Sequence, residues 1–166
     1  LNLKFLSGVM RGRFNPKDGC LYVCGMTGWQ TGAAADGCLQ RVRYTGKPIT
    51  LPTMLEAKKG RIELTFNAAV DPACIVVKNF DLERWNYRWT GDYGSKHWSV
   101  RQPDREGHDE VPITGAVLSA DGCTVTLQVP DLAPVMQMKL TWMLRTATGQ
   151  PLAGEIHLTV NYRTSD

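Results

Sequence analysis

No long segment of this chain repeats its apolar residues every three to four positions, whereas short alternating runs recur throughout between turns marked by Gly, Pro and Asp. That pattern limits the chain to strands and turns. "RIELTF", 61–66, sets Ile62, Leu64 and Phe66 on one face and Arg61, Glu63 and Thr65 on the other, as a half-buried strand does. "ACIVVKNF", "ERWNYRW", "ITGAVLS", "CTVTLQV", "MQMKLTWML" and "EIHLTVNY" come after it, giving seven strand candidates beyond residue 54. Short strands at that spacing predict an all-β fold: an immunoglobulin-like or fibronectin-like β-sandwich over residues 48–166. The Ala-rich "TGAAADG" allows at most one helical turn before its own Asp-Gly stop.

Residues 1–47 read differently. Two Asp-Gly turns, "NPKDG" and "AADG", are each followed by a strand-like run, "CLYVCG" and "CLQRVRYTG". Pro presets the turn and Gly19 supplies a positive φ, which is the pattern of β-hairpins. Two or three strands alone are marginal in water, so this segment is expected to need a partner surface. The Pro-containing "TGKPITLPT" separates it from the sandwich strands.

Composition narrows the function classes. The 166 residues suit one ordinary domain or a domain with an appendage, and the formal charge is only +3. The densest basic cluster, Lys58-Lys59-Arg61, is too small for a nucleic-acid face. No apolar run approaches the roughly 20 residues that span a bilayer, and no secretory leader is visible. The chain opens on Leu, so a piece of a longer or processed polypeptide is expected.

Five cysteines, Cys20, Cys24, Cys38, Cys74 and Cys123, leave one without an intrachain partner. Cys20 and Cys24 lie about 13 Å apart along an extended strand, beyond disulfide reach. If either pairs, Cys38 across a hairpin is the better partner. Buried free thiols are the leading expectation.

"RFNPKDGCLYVCGMTGWQT…DGCLQRVRYTG" resembles the last blade of a six-bladed propeller of the glucose/sorbosone dehydrogenase type. "NPKDGCLYVCG" is similar to that family's repeated Pro-x-Asp-Gly-x-Leu-Tyr-Val hairpin. "RIELTFNAAVDP…NFDLERWNYRW…GS" and "LSADGCTVTLQVPDLAPVMQMKL" resemble the immunoglobulin-like tail that succeeds such propellers in large exported bacterial proteins, which often carry a c-type haem module. The resemblance implies a periplasmic or secreted setting, a redox parent and a non-catalytic role for this piece. One blade cannot close a propeller, and no catalytic residue carries over.

The chain's own chemistry points the same way. A c-type haem needs Cys-x-x-Cys-His, but three residues separate Cys20 from Cys24, and Gly25 comes next. His97, His108 and His157 have no Cys and Met at the spacing of a blue-copper site, and no Cys/His pairs cluster for zinc. There is no Gly-x-Ser-x-Gly elbow and no phosphate loop. Asp104, Glu106, Asp109 and Glu110 read as a solvated charged loop rather than a calcium loop. No cofactor and no metal are expected.

What remains is "RWNYRWTGDYGSKHWSV", 84–100, which holds Trp85, Tyr87, Trp89, Tyr93 and Trp98. Alternation would put Trp85, Tyr87 and Trp89 on one strand face. That face can be core, a protein interface rich in Trp, Tyr and Arg, or a stacking platform for polysaccharide. Core packing is the leading expectation, with Trp85 and Trp89 buried and Tyr93 and Trp98 more exposed. The function expected is a structural or interaction domain with a protein partner. A carbohydrate-binding module is the alternative, and a small stand-alone enzyme or electron carrier comes third.

Overall fold

The computed structural model describes residues 3–28 and 32–161. The chain forms two compact units, Leu1–Ile49 and Thr50–Asp166.

The first unit is one antiparallel sheet of β1 (Gly8–Phe14), β2 (Leu21–Met26) and β3 (Gly37–Val42), in that order. The "NPKDG" turn joins β1 to β2. The Asn15 carbonyl accepts from the Gly19 amide at 2.8 Å, Gly19 sits at φ +65°, and the Asp18 side chain accepts from the Cys20 amide at 3.0 Å. Val23 is buried, but Phe14 and Leu39 stay 74% and 75% exposed, so three strands do not enclose a core here. Cys24 opposes Leu39 while Cys38 opposes Gly25. The two thiols therefore point to opposite faces of the sheet, and all five cysteines are free.

The second unit is a β-sandwich. One sheet runs β4 (Pro52–Lys58), β5 (Arg61–Phe66), β9 (Thr124–Gln128), β8 (Gly115–Leu118). The other runs β11 (Pro151–Val160), β10 (Val135–Arg145), β6 (Phe80–Trp85), β7 (Asp109–Glu110). Every pairing is antiparallel. Ile62, Leu64 and Phe66 of β5, with Val125 and Leu127 of β9, face Leu82 of β6 and Met138, Leu140 and Trp142 of β10 in one core cluster. Phe66 meets Trp142 edge to face across the sheets, centroids 6.0 Å apart.

Two segments differ from their sequence reading. "ACIVVKNF" is not a strand before Phe80: Pro72–Cys74 and Val77–Asn79 form two 3-10 turns. Asp71 caps the first through the Ala73 amide at 2.9 Å, and Asn79 Nδ2 donates to the Cys74 carbonyl at 2.8 Å. Local side-chain bonds have outcompeted strand pairing for a β-branched run. Conversely, Pro52–Lys58, partly assigned to the connector, is a strand paired with β5. Pro52 is tolerated because β4 is an edge. The Lys58 and Arg61 charges are answered within this hairpin by Glu63, at 2.6 and 2.9 Å.

Gly154 of β11 lies against Trp142: a Cβ there would come within 2.6 Å of the indole. Gly154→Ala is therefore expected to destabilise by about 1–3 kcal/mol, as overpacking against a rigid ring does. Chemical denaturation should show the loss, and Trp142→Phe in the same chain should recover part of it.

Candidate functional site

Pairing of β6 with β10 ends at Trp85, opposite Gln137. Near this end, between Val135 and Met138, the register of β10 with β11 shifts. Asn86 takes over: its side-chain oxygen accepts from the Met136 amide at 3.0 Å. Its backbone exchanges two hydrogen bonds with Trp98, 2.8 and 2.9 Å long. The chain between them, 87–97, leaves the sheet as a loop.

The return path is tied down by polar contacts. Trp98 pairs onward with Glu106, and the Gly107 amide donates to the His97 carbonyl at 2.9 Å. Asp109 of β7, only 3% exposed, gathers the segment just before it. Its carboxylate accepts from Ser99 Oγ (2.6 Å), the Val100 and Arg101 amides (2.7 and 2.8 Å) and Arg105 (3.0 Å). Burial alone would raise the Asp109 pKa. The Ser99 bond, the two amides and the Arg105 charge outweigh it and hold the carboxyl below its usual range. Arg84, also buried, pairs with Asp109 across β6 and β7 and reaches the Asp131 carbonyl and carboxylate at 2.8 and 2.7 Å.

Trp85 is 2% exposed and forms the floor of this region. His108 lies parallel to its indole with centroids 3.9 Å apart, and His97 stacks on the same indole at 4.8 Å. His97 Nδ1 and His108 Nε2 are 2.6 Å apart, and His108 Nδ1 is 2.7 Å from Glu83 Oε2. Glu83 also pairs with Lys139 of β10. Desolvation would raise the Glu83 carboxyl, but hydrogen bonds from Lys139 and His108 bring it below its usual range. His157 of β11 meets Trp85 edge-on at 6.0 Å, so all three histidines of the chain collect on one indole.

The predicted site residues separate sharply. Trp85 is buried, as expected, but it shares the outer face of β6 with Glu83 and lies outside the inter-sheet core cluster, covered by the histidines. Tyr87 is 36% exposed, and Trp89 and Tyr93 are 101% and 105% exposed, standing free of the protein. Trp89 is thus not a core residue. The strand ends four positions earlier, so the alternation in "RWNYRW" does not continue into a sheet. Trp98 is half-buried because the Arg88 guanidinium lies 3.9 Å over its ring, fixed in turn by Asp104 at 2.7 Å. Between Tyr93 and Trp98 opens a cleft of about 540 Å³, with Asp92, Ser95, Lys96 and Glu106 on its walls.

His97, His108, Glu83 and Asp109 were not singled out together from sequence, because only the fold joins residues so far apart. Among the described residues no group of three or more His, Cys, Asp or Glu is arranged to hold a metal ion. No helix among them is long and apolar enough to cross a membrane.

No protein-family model matches the chain, and no curated protein does. Among solved structures, domains 1–6 of the surface layer protein SbsC align at TM-score 0.48 and 15% identity, over 69% of this chain and 14% of that one. A second SbsC structure, rSbsC(31-844), gives the same values. CopC from Methylosinus trichosporium OB3b aligns at TM-score 0.34 and 18% identity, over 64% of this chain and 79% of its own.

Asp109→Asn keeps the shape of the side chain but cannot accept all four hydrogen bonds as an anion. It should cost about 1.5–3 kcal/mol at neutral pH, the range for bonds to a charged group. The wild-type advantage is present above the ordinary carboxyl value of 3.8 and is lost as pH falls through the lowered folded value. Urea titrations of the two proteins should therefore converge in acid and diverge near neutrality.

Proposed function

We propose that this chain is a non-catalytic interaction module, the tail of a larger exported protein, and that it contacts a protein partner through the loop 87–97. The observation that carries the reading is the complete exposure of Trp89 and Tyr93 on a loop whose two ends are locked together. Large rings held in water by an ordered base are costly to keep exposed unless something covers them, and Trp and Tyr dominate the energetic centres of protein contacts.

The strand orders support the tail assignment. In chain order, β4-β5-β9-β8 and β11-β10-β6-β7 correspond to the ABED and CFG sheets of an immunoglobulin constant-type sandwich, with one short strand added at the CFG edge. The hairpins of residues 1–47, with exposed Phe14 and Leu39, suit a segment that packs on further chain, as the last blade of a propeller would. The resemblance to sugar-dehydrogenase propellers supplies the exported, periplasmic or secreted setting. No reaction and no cofactor are assigned to this piece.

One observation favours a second reading, polysaccharide binding. The cleft beside Tyr93 combines ring faces with Asp92, Lys96 and Glu106, the mixture that binds sugar faces and hydroxyls.

A photoreactive phenylalanine at position 93, introduced into the natural full-length polypeptide, tests the contact. It should form a protein cross-link that the same group at exposed Met143 does not form. Equal yields at the two positions would remove the proposal. Trp89→Ala should leave stability within about 0.5 kcal/mol, as surface substitutions do, while lowering the cross-link. Retention on insoluble polysaccharide, abolished by the same substitution, would decide for the second reading.

A further inference from the structure

The contact between His97 and His108 constrains the proton count of the loop. His108 Nδ1 faces the Glu83 carboxylate at 2.7 Å and therefore carries a hydrogen. Its other nitrogen, Nε2, lies 2.6 Å from His97 Nδ1. Only one hydrogen fits between two nitrogens at that distance. With both rings neutral, His97 donates and His108 accepts. With one added proton the link survives: either ring is the cation, and one hydrogen still lies between the nitrogens. With two added protons both facing nitrogens carry hydrogen, the bond is lost, and two cations face each other.

We propose that this pair is an acid-opened latch for the aromatic loop, closed while the two imidazoles share at most one positive charge and released when both are charged. The inference rests on the reading of the loop as a contact surface and assigns that surface a regulator. The location makes release effective. His97 precedes Trp98, whose two bonds to Asn86 close the loop, and the His97 carbonyl accepts from Gly107, the neighbour of His108.

The surroundings set the direction. Glu83 of β6 and the Trp85 ring face attract positive charge. Lys139 of β10 adds positive charge nearby, while Glu110 opposite Glu83 on β7 and Glu155 beside His157 of β11 add negative charge. Tyr87 packs edge-on against His97 at 5.5 Å. Loss of hydration, then the His108 charge, lowers His97 from its ordinary 6.5 despite the pull of Glu83. A base lowered on folding binds more protons when unfolded. The stability it contributes is complete above 6.5 and is lost as pH falls from there through the lowered folded value.

Amide hydrogen exchange on the whole chain, without any partner, tests the latch at about pH 7.5 and about pH 5. After correction for intrinsic rates, the Asn86 and Trp98 amides should lose about tenfold or more in protection at the lower pH, while Leu82 and Leu140 hold theirs. His97→Gln, whose amide can donate to neutral His108 or accept from charged His108, should reduce that loss to about threefold or less. His108→Gln should do the same, and His157→Gln should leave the wild-type response unchanged. Undiminished protection of the wild type in acid, or an undiminished loss in both the His97 and His108 variants, would overturn the proposal. Because nothing is bound, a failed cross-link at position 93 bears on the contact surface alone, and failed exchange bears on the latch alone.

Discussion

Backbone hydrogen bonding along β6 stops at Trp85, and the rest of the site depends on how the next residues replace it. A chain leaving a sheet must find partners for each amide and carbonyl. The Asn86 amide and carbonyl both find Trp98, and its side-chain oxygen takes the Met136 amide, so the loop leaves and returns through one residue. Trp85 remains behind, buried on the outer face of β6 beside Glu83 and outside the inter-sheet core. Its exposed-side face is covered by two imidazoles instead of by another strand. The sheet thus ends on a ring buried outside the inter-sheet core, beneath a polar lid.

The polar lid carries more organisation than a loop of this length usually has. Asp109 organises the segment 99–105 from beneath, and Arg88, stacked on Trp98 and paired with Asp104, ties the start of the loop to the segment after it. Lys96 and Glu106 pair across it at 2.6 Å. Exposed ion pairs of this kind contribute little stability individually. Their effect here is positional: they leave 87–95 few ways to fold back and cover Trp89 and Tyr93. Order at the base and full exposure at the tip belong together in a surface built for contact.

How much of this the sequence held depends on the residue. Ile62, Leu64 and Phe66 alternate within a strand that is paired on both sides, so their burial was legible. "NPKDG" was legible too, because its turn is made by its own side chains. Trp89 was not. Alternation predicts a face only while a partner strand continues, and the β6–β10 ladder ends at Trp85 opposite Gln137, a partner some fifty residues away. The Val76-Val77 run failed for a related reason: Asp71 and Asn79 offered its backbone closer partners than any strand. The histidine pair had no local signal, since His97 and His108 meet only after Trp98 folds back on Asn86.

The chain buries one tryptophan of "RWNYRW" and leaves the other in water. Fluorotryptophan labelling with fluorine NMR, comparing light and heavy water, reads this ring by ring, each signal assigned by single Trp→Phe substitution. Trp89 should give the full solvent isotope shift of a free indole, and Trp85 and Trp142, buried in the structure, should give almost none. A Trp89 signal as insensitive to the solvent as that of Trp85 would contradict the account, because the loop would then be part of the core.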